Sequence, residues 1–246
     1  MNKAYTSLAQ YYDLLFQEKD YDRETDFIKQ VIKKYLPGAK SILDVGCGTG
    51  NHLNMLVGRF ETLYGVDLNP EIINVAKKKS SKIKYFVGSL ADFNINLKFD
   101  VITCLYSVFN YNQTINAAEK TLQNFKKHLN PGGIIIIALY TPTNTQKKIA
   151  LNTGKYEDVE VAKIDQWTYD PKTKIETSEF LVLVKNNNQI DFFTENNHKF
   201  RIYQVSEFKE LLTNAGFIDI KVFDNFVNKP VSKTTKYPIF IASNKG

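Results

Sequence analysis

Glycines alternate with other residues through Asp44-Val45-Gly46-Cys47-Gly48-Thr49-Gly50. Side-chain-free backbone at positions 46, 48 and 50 can turn sharply and let a ligand approach closely. Asp67 follows roughly 20 positions later, where a carboxylate at the end of the next strand accepts hydrogen bonds from both hydroxyls of a nucleoside ribose. Loop and acid together predict a nucleoside-bearing cofactor. A dinucleotide fingerprint, G-x-G-x-x-G, needs glycine at position 51, but that residue is Asn51, which argues against hydride transfer. No G-x-x-x-x-G-K-[ST] loop occurs, so triphosphate hydrolysis has no support. Cys47 and Cys104 border the same cleft without a histidine or acid spaced to activate a thiolate, and read as small packing residues. His52 and His128 fall in helical stretches. No His, Cys or acid cluster has metal-ligand spacing, so no metal is expected.

The elements that must hold this loop are legible from periodicity and punctuation. Phe27, Ile28, Val31, Ile32, Tyr35 and Leu36 form the stripe of an amphipathic helix that Pro37 and Gly38 stop. Ser41 to Val45 reads as a strand running into the glycine loop, with a helix after it. Leu63 to Val66 is a second strand, and Asn69-Pro70-Glu71 supplies the cap, first turn and acid of a second helix. Ile83 to Val87, Phe99 to Cys104 and Ile134 to Leu139 are three more strands, with a helix from about Thr114 to Leu129 that Asn130-Pro131-Gly132-Gly133 stops. Such alternation predicts an α/β fold with a parallel doubly wound sheet. From residue 163 to 204 the texture changes to β-rich runs such as Phe180 to Val184, separated by turns at Asp170-Pro171 and Asn186-Asn187-Asn188, and predicts an antiparallel lid. Ser206 as N-cap, then Phe208, Leu211, Leu212 and Ala215, with Gly216 as stop, restore a helix. Strands near Phe217 to Phe223 and Tyr237 to Ala242 complete an antiparallel pair. The 246 residues therefore read as one domain: a helical cap over 1–36, a core over 37–145 and 205–246, and a lid over about 146–204.

Composition is that of an ordinary globular chain, 43% hydrophobic and 24% charged, which excludes disorder and fibrous folds. The longest apolar run, Ile134 to Tyr140, is too short to cross a bilayer. Without a leader or anchor, and with only two cysteines, the expected compartment is the cytoplasm and no membrane partner is expected. Thirty-two basic against 26 acidic residues leave a charge of +6, which would draw phosphate-bearing partners. Lys77, Lys78 and Lys79, with Lys82 and Lys84, suit either a solvated helix end or an anion-binding patch.

Ile42 to Gly50, Gly65 to Asn69 and the Pro131-Gly132-Gly133 turn resemble the class I S-adenosylmethionine-dependent methyltransferases. The resemblance implies a Rossmann-like, mostly parallel seven-stranded sheet with an antiparallel β lid insertion. It implies S-adenosylmethionine as cofactor and S-adenosylhomocysteine as product. Asp44, Gly46, Cys47, Gly48 and Gly50 would lie under the methionine part, Asp67 with Leu68 at the ribose, Ser89 and Leu90 beside adenine, and Cys104 at the cleft wall. More narrowly, Leu8-Ala9-Gln10-Tyr11-Tyr12-Asp13, Lys19-Asp20-Tyr21, Asn51-His52-Leu53, Thr103-Cys104-Leu105-Tyr106-Ser107 and the lid are similar to the N,N-dimethyltransferases of nucleotide-linked 3-amino sugars. That likeness implies Tyr12 near the reacting methyl and Tyr21 near the donor's carboxylate. The sequence departs from the family pattern at Tyr111, where the family has a histidine, and at Ser89, where it usually has an aspartate.

An amine acceptor must arrive neutral, because a protonated nitrogen has no lone pair, and a tyrosine or histidine can position it or relay its proton. Tyr12, Tyr111 and His198 are the candidates. The expected acceptor is a small molecule, phosphate-bearing in one reading. Alternatives are transfer to oxygen, to RNA or to a peptide, and a donor-binding protein without catalysis. No Asn-Pro-Pro-aromatic signature supports a nucleic-acid base as acceptor, and a homodimer is kept beside the monomer as the expected assembly.

Overall fold

The computed structural model describes residues 8–142, 148–187 and 189–245. Positions 1–7 of the expected cap, 146–147 of the expected lid and Asn188 of the asparagine turn lie outside them.

A short 3-10 turn, Ala9–Tyr11, leads into α1 (Tyr12–Leu15) and then α2 (Tyr21–Tyr35). Asp20 caps α2 by accepting from Arg23 N at 3.0 Å, and the predicted stripe Phe27, Ile28, Val31 and Ile32 is buried. Next come β1 (Ser41–Val45), α3 (Asn51–Met55), β2 (Thr62–Asp67), α4 (Pro70–Lys79), β3 (Lys84–Val87), β4 (Phe99–Cys104), α5 (Ile115–Lys127) and β5 (Leu129–Ala138). Asn69 caps α4 through Glu71 N and Ile72 N, and Thr114 caps α5 through Ala117 N. These side-chain oxygens satisfy amides that a helix start leaves without partners.

Strands β1 to β5 pair in parallel in the order β3-β2-β1-β4-β5. The chain then builds a separate four-stranded antiparallel meander, β6 (Lys148–Tyr156), β7 (Val159–Asp170), β8 (Ile175–Asn186) and β9 (Gln189–Arg201). It returns through α6 (Val205–Asn214) to β10 (Phe217–Asp224), β11 (Val227–Pro230) and β12 (Pro238–Asn244). Strand β12 inserts antiparallel between β5 and β10.

Three expectations need correction. Among the described residues the large sheet has eight strands rather than seven, because a turn at Asn225 and Phe226, both at positive φ, folds β11 back onto β10. Gln204, not Ser206, caps α6; its backbone N–H donates to Glu207 Oε2 at 3.4 Å. The preceding Tyr203 is fully buried, which fixes the chain early enough for the helix to start there. Asn130-Pro131-Gly132-Gly133 does not separate α5 from its strand: Phe99 pairs with Leu129 and Val101 with Ile134, so the four residues bulge out between rungs of one ladder, and α5 is closed by His128.

Alternating strand residues feed two cores. Leu43, Ile102 and Ile135 join Leu122 and Phe125 of α5 and Phe208 of α6 on one face. On the other, Ile42, Val101 and Ile136 join Phe27 and Ile32 of α2, Leu53 of α3 and Ile73 of α4. Each such fully buried side chain contributes about 1.5–3 kcal/mol. A third cluster seats Leu8 and Leu15 against Val161, Phe180, Val182 and Val184, fastening the N-terminal segment to the meander. No helix of the described residues is long and apolar enough to cross a membrane.

Candidate active site

Ligands of an open α/β sheet bind outside the carboxyl ends of its strands, and here the loops after β1, β2 and β4 converge at that edge. Gly46 has φ +76°, and a Cβ there would stand 2.3 Å from Val108 Cγ1. Only glycine lets the segment after β4 close on the loop. At Gly48, φ +55°, a Cβ would meet nothing within 4 Å, so the open face of the loop is at this position. Gly50 caps α3 beside the Tyr85 hydroxyl.

Asp67 ends β2 and is half-buried. Its Oδ2 accepts from Gly48 N at 3.0 Å and its Oδ1 from Asn69 N at 3.0 Å. Burial raises its pKa, with the backbone N–H groups of Asn69, Gly48 and Leu68 pulling the other way. The carboxylate is thus tied to the open glycine, and its remaining lone pairs can receive hydroxyl hydrogens. Leu68 beside it is exposed. Ser89 Oγ bonds the Asp92 carboxylate, and Leu90 packs on the core while its carbonyl accepts from Asn124 Nδ2. Cys104 is fully enclosed and Cys47 buried. Burial pushes both thiols well up, which removes them as nucleophiles at neutral pH.

Asp44, buried under the loop, accepts from Thr103 Oγ1 at 2.7 Å. Burial raises its pKa against His52, Thr103 and Lys19, which favour the carboxylate. Above it the N-terminal segment carries a charged cluster: Lys19 Nζ lies 3.0 Å from Glu24 Oε2, and His52 Nε2 lies 2.7 Å from the same oxygen. The Tyr21 ring meets His52 edge-on at 5.0 Å, and burial pushes its hydroxyl up to about 12. Tyr12 packs on Phe16, and Phe16 packs on Tyr106. Asp13 fastens this segment to the glycine loop, accepting from Thr49 Oγ1 at 2.6 Å and Asn51 Nδ2 at 3.0 Å while pairing with Lys79 Nζ at 2.5 Å.

After β4, Tyr106 and Ser107 are consecutive non-glycine residues at positive φ, a costly conformation that clusters at functional sites. It leads into the 3-10 turn Val108–Tyr111. At the end of that turn Tyr111 Oη lies 2.9 Å from His198 Nε2, which belongs to β9. His198 is buried, and burial with Lys163 nearby pushes its pKa down to about 3. A neutral ring can accept the phenol hydrogen at Nε2.

The structure therefore joins Asp67 to Gly48 and Tyr111 to His198, and puts Tyr12 in a separate aromatic group with Phe16 and Tyr106. The sequence did not single out Asp13, Lys19, Glu24 or Tyr106 by chemistry. For Asp13, Lys19 and Tyr106 the signal available was their place in the segments that carried the family likeness; Glu24 lay outside those segments.

A doubly wound sheet whose first loop places glycine at 46, 48 and 50, whose second strand ends in a carboxylate tied to that loop, and whose turn after β4 meets a β-meander has the arrangement of a nucleoside-binding α/β site. Residues 42–133 match the methyltransferase domain family, and the chain is similar to methyltransferases over most of its length. It is 26% identical over 214 residues to a dTDP-3-amino-3,6-dideoxy-alpha-D-glucopyranose N,N-dimethyltransferase of Streptomyces fradiae, covering 85% of this chain and 83% of that one. It is 31% identical over 131 residues to a dTDP-4-amino-2,3,4,6-tetradeoxy-D-glucose N,N-dimethyltransferase of Saccharopolyspora spinosa, a match spanning 52% of this chain and 53% of the relative. Among solved structures it resembles an amino pentose methyltransferase of Micromonospora echinaspora, with TM-score 0.77, 22% identity and 93% of each chain covered; at that identity the likeness concerns the fold.

Proposed function

We propose that the chain methylates the amine nitrogen of an amino sugar carried on a nucleotide. Two relatives act on dTDP-linked amino sugars, and the observation that carries the reading is the contact between Tyr111 and His198. The pair begins one 3-10 turn from Val108, the residue packed on Gly46, and joins the core edge to the meander. When bound, S-adenosylmethionine supplies a methyl group on a sulfonium, and Gly48 and Asp67 fit its nucleoside. Asp67 would hold the ribose, with Ser89 and Leu90 beside the base. What remains for the protein is to align the acceptor's lone pair and exclude water. Tyr111 Oη, its own hydrogen directed to the neutral His198 Nε2, presents a lone pair to a hydrogen of the acceptor nitrogen and so orients that nitrogen's lone pair, the proton freed after transfer leaving to solvent. Phosphates on the acceptor are supported by a cavity of about 300 Å³ with Arg23, Lys236, Asn225 and Thr234 in its wall, beside one carboxylate, Asp224. The backbone of Lys236 bonds Thr141 just past β5, so this cavity shares the sheet edge with the loops above. A reducing compartment, the cytoplasm, suits two free buried cysteines.

The test is transfer of labelled methyl to a panel of dTDP-linked amino sugars, free amines, hydroxylated analogues, peptides and RNA. Amino-sugar nucleotides are expected to react, and Tyr111→Phe to lower kcat by about 10²-fold while S-adenosylhomocysteine affinity stays within about twofold. Transfer to every class but the amino-sugar nucleotides would refute the assignment.

A further inference from the structure

We infer that Asn110 is the positioning residue that sets Tyr111 against His198, an inference resting on the acceptor-site role proposed for that pair. Asn110 stands immediately before Tyr111 in the 3-10 turn after β4 and is fully buried. Its side chain works at both ends. Nδ2 donates to the Tyr140 carbonyl at 3.0 Å and to the Arg201 carbonyl at 2.8 Å, while Oδ1 accepts from Tyr140 N at 3.0 Å. Tyr140 lies just past β5, where the chain leaves the large sheet for the meander, and Arg201 ends β9, the strand that carries His198. One amide therefore ties the outgoing and the returning connection of the meander to the turn that carries Tyr111, across separations of 30 and 91 positions.

The contact of Tyr111 Oη with His198 Nε2, at 2.9 Å, joins two bodies, because the turn follows a strand of the large sheet and His198 belongs to the meander. The Tyr111 ring also packs on Phe200 of the same strand at 4.6 Å. A hydrogen bond weakens steeply when its geometry drifts, and a misplacement of about 1 Å at a reacting centre costs on the order of 10²-fold in rate. Whatever fixes the offset of the meander therefore fixes the pair. Leucine in this place would fill the space with no polar atom, and aspartate would accept but could not donate to two carbonyls. Beyond the pair the turn is held independently. Tyr203 Oη donates to the Asn112 carbonyl, and Thr121 Oγ1 of α5 donates to Asn112 Oδ1 at 2.8 Å. Loss of the Asn110 amide thus loosens the offset and leaves the turn anchored at its far end.

Two readouts separate this role from general damage. Ring nitrogen NMR of His198 reports the Tyr111 contact with no substrate present: Asn110→Ala is expected to move the Nε2 resonance to the position it takes in Tyr111→Phe. Methyl transfer to a dTDP-linked amino sugar reports the consequence. Asn110→Ala is expected to lower kcat by about tenfold, within the cost of a displaced group, and to leave S-adenosylhomocysteine affinity within about twofold. Introduced into Tyr111→Phe, the same change is expected to cost less than about twofold more, because the contact it sets is already gone. Should Asn110→Ala not fold, Asn110→Ser, too short to span both connections, is read the same way. A wild-type Nε2 resonance in the variant, an unchanged kcat, or a full further loss of the same size in the double variant would overturn the inference. Wild-type protein that methylates no amino-sugar nucleotide would refute the acceptor reading instead, and the His198 resonance would then decide the role of Asn110.

Discussion

Asp67 works against its surroundings: burial favours the neutral acid, and backbone N–H groups from Gly48 and Asn69 hold the charge in place. Its removal leaves the Gly48 amide without its partner and, in the proposed donor site, a ribose without an acceptor. Asp67→Ala is therefore expected to weaken S-adenosylhomocysteine by tenfold or more, about 1.5–3 kcal/mol for bonds to a charged group; a calorimetric change below twofold would refute the ribose role. Loop and acid could be read from the sequence because their geometry is local, set by strand, turn and the next strand. The contact between Tyr111 and His198 could not be, since 87 positions separate them, although each was noticed alone.

Among elements, α1 is too short to persist by itself and depends on what it touches. Leu15 sits in the meander's cluster, while Asp13 binds the glycine loop and the end of α4. Asp13→Ala is expected to loosen the segment, seen as faster proteolysis around residues 8–20 and a several-fold weaker donor. Because Asp13 and Lys79 are 40% and 26% exposed, the cost in global stability should stay within about 1 kcal/mol. Proteolysis at the wild-type rate would show that the clasp carries no weight. Lysine at the end of α4 was readable as a helix terminus, and one of its three lysines turns out to serve the cofactor loop. The α6 boundary and the Asn130–Gly133 bulge were misread for the opposite reason: local turn and cap chemistry was intact, and buried Tyr203 and the β4–β5 register overruled it.

At the scale of the molecule, the alternation of strands and helices was enough to foresee a doubly wound sheet, because periodicity reports which faces are buried. It could not foresee strand order, and the order has a kinetic consequence. The meander pairs neighbours in sequence, Val159 to Asp170 with Ile175 to Asn186. Its larger companion is completed only when Ile239 to Ser243 joins Ile134 to Ala138, a closure that spans the meander itself. Ordering so long a loop costs entropy before any contact repays it. In pulsed hydrogen exchange during refolding, amides of β7 and β8 should gain protection before those of β5 and β12; the reverse order would refute this. The roof would then assemble ahead of the hall it covers, and a refolding chain would pass through a stage in which the meander is shaped while the floor is still open.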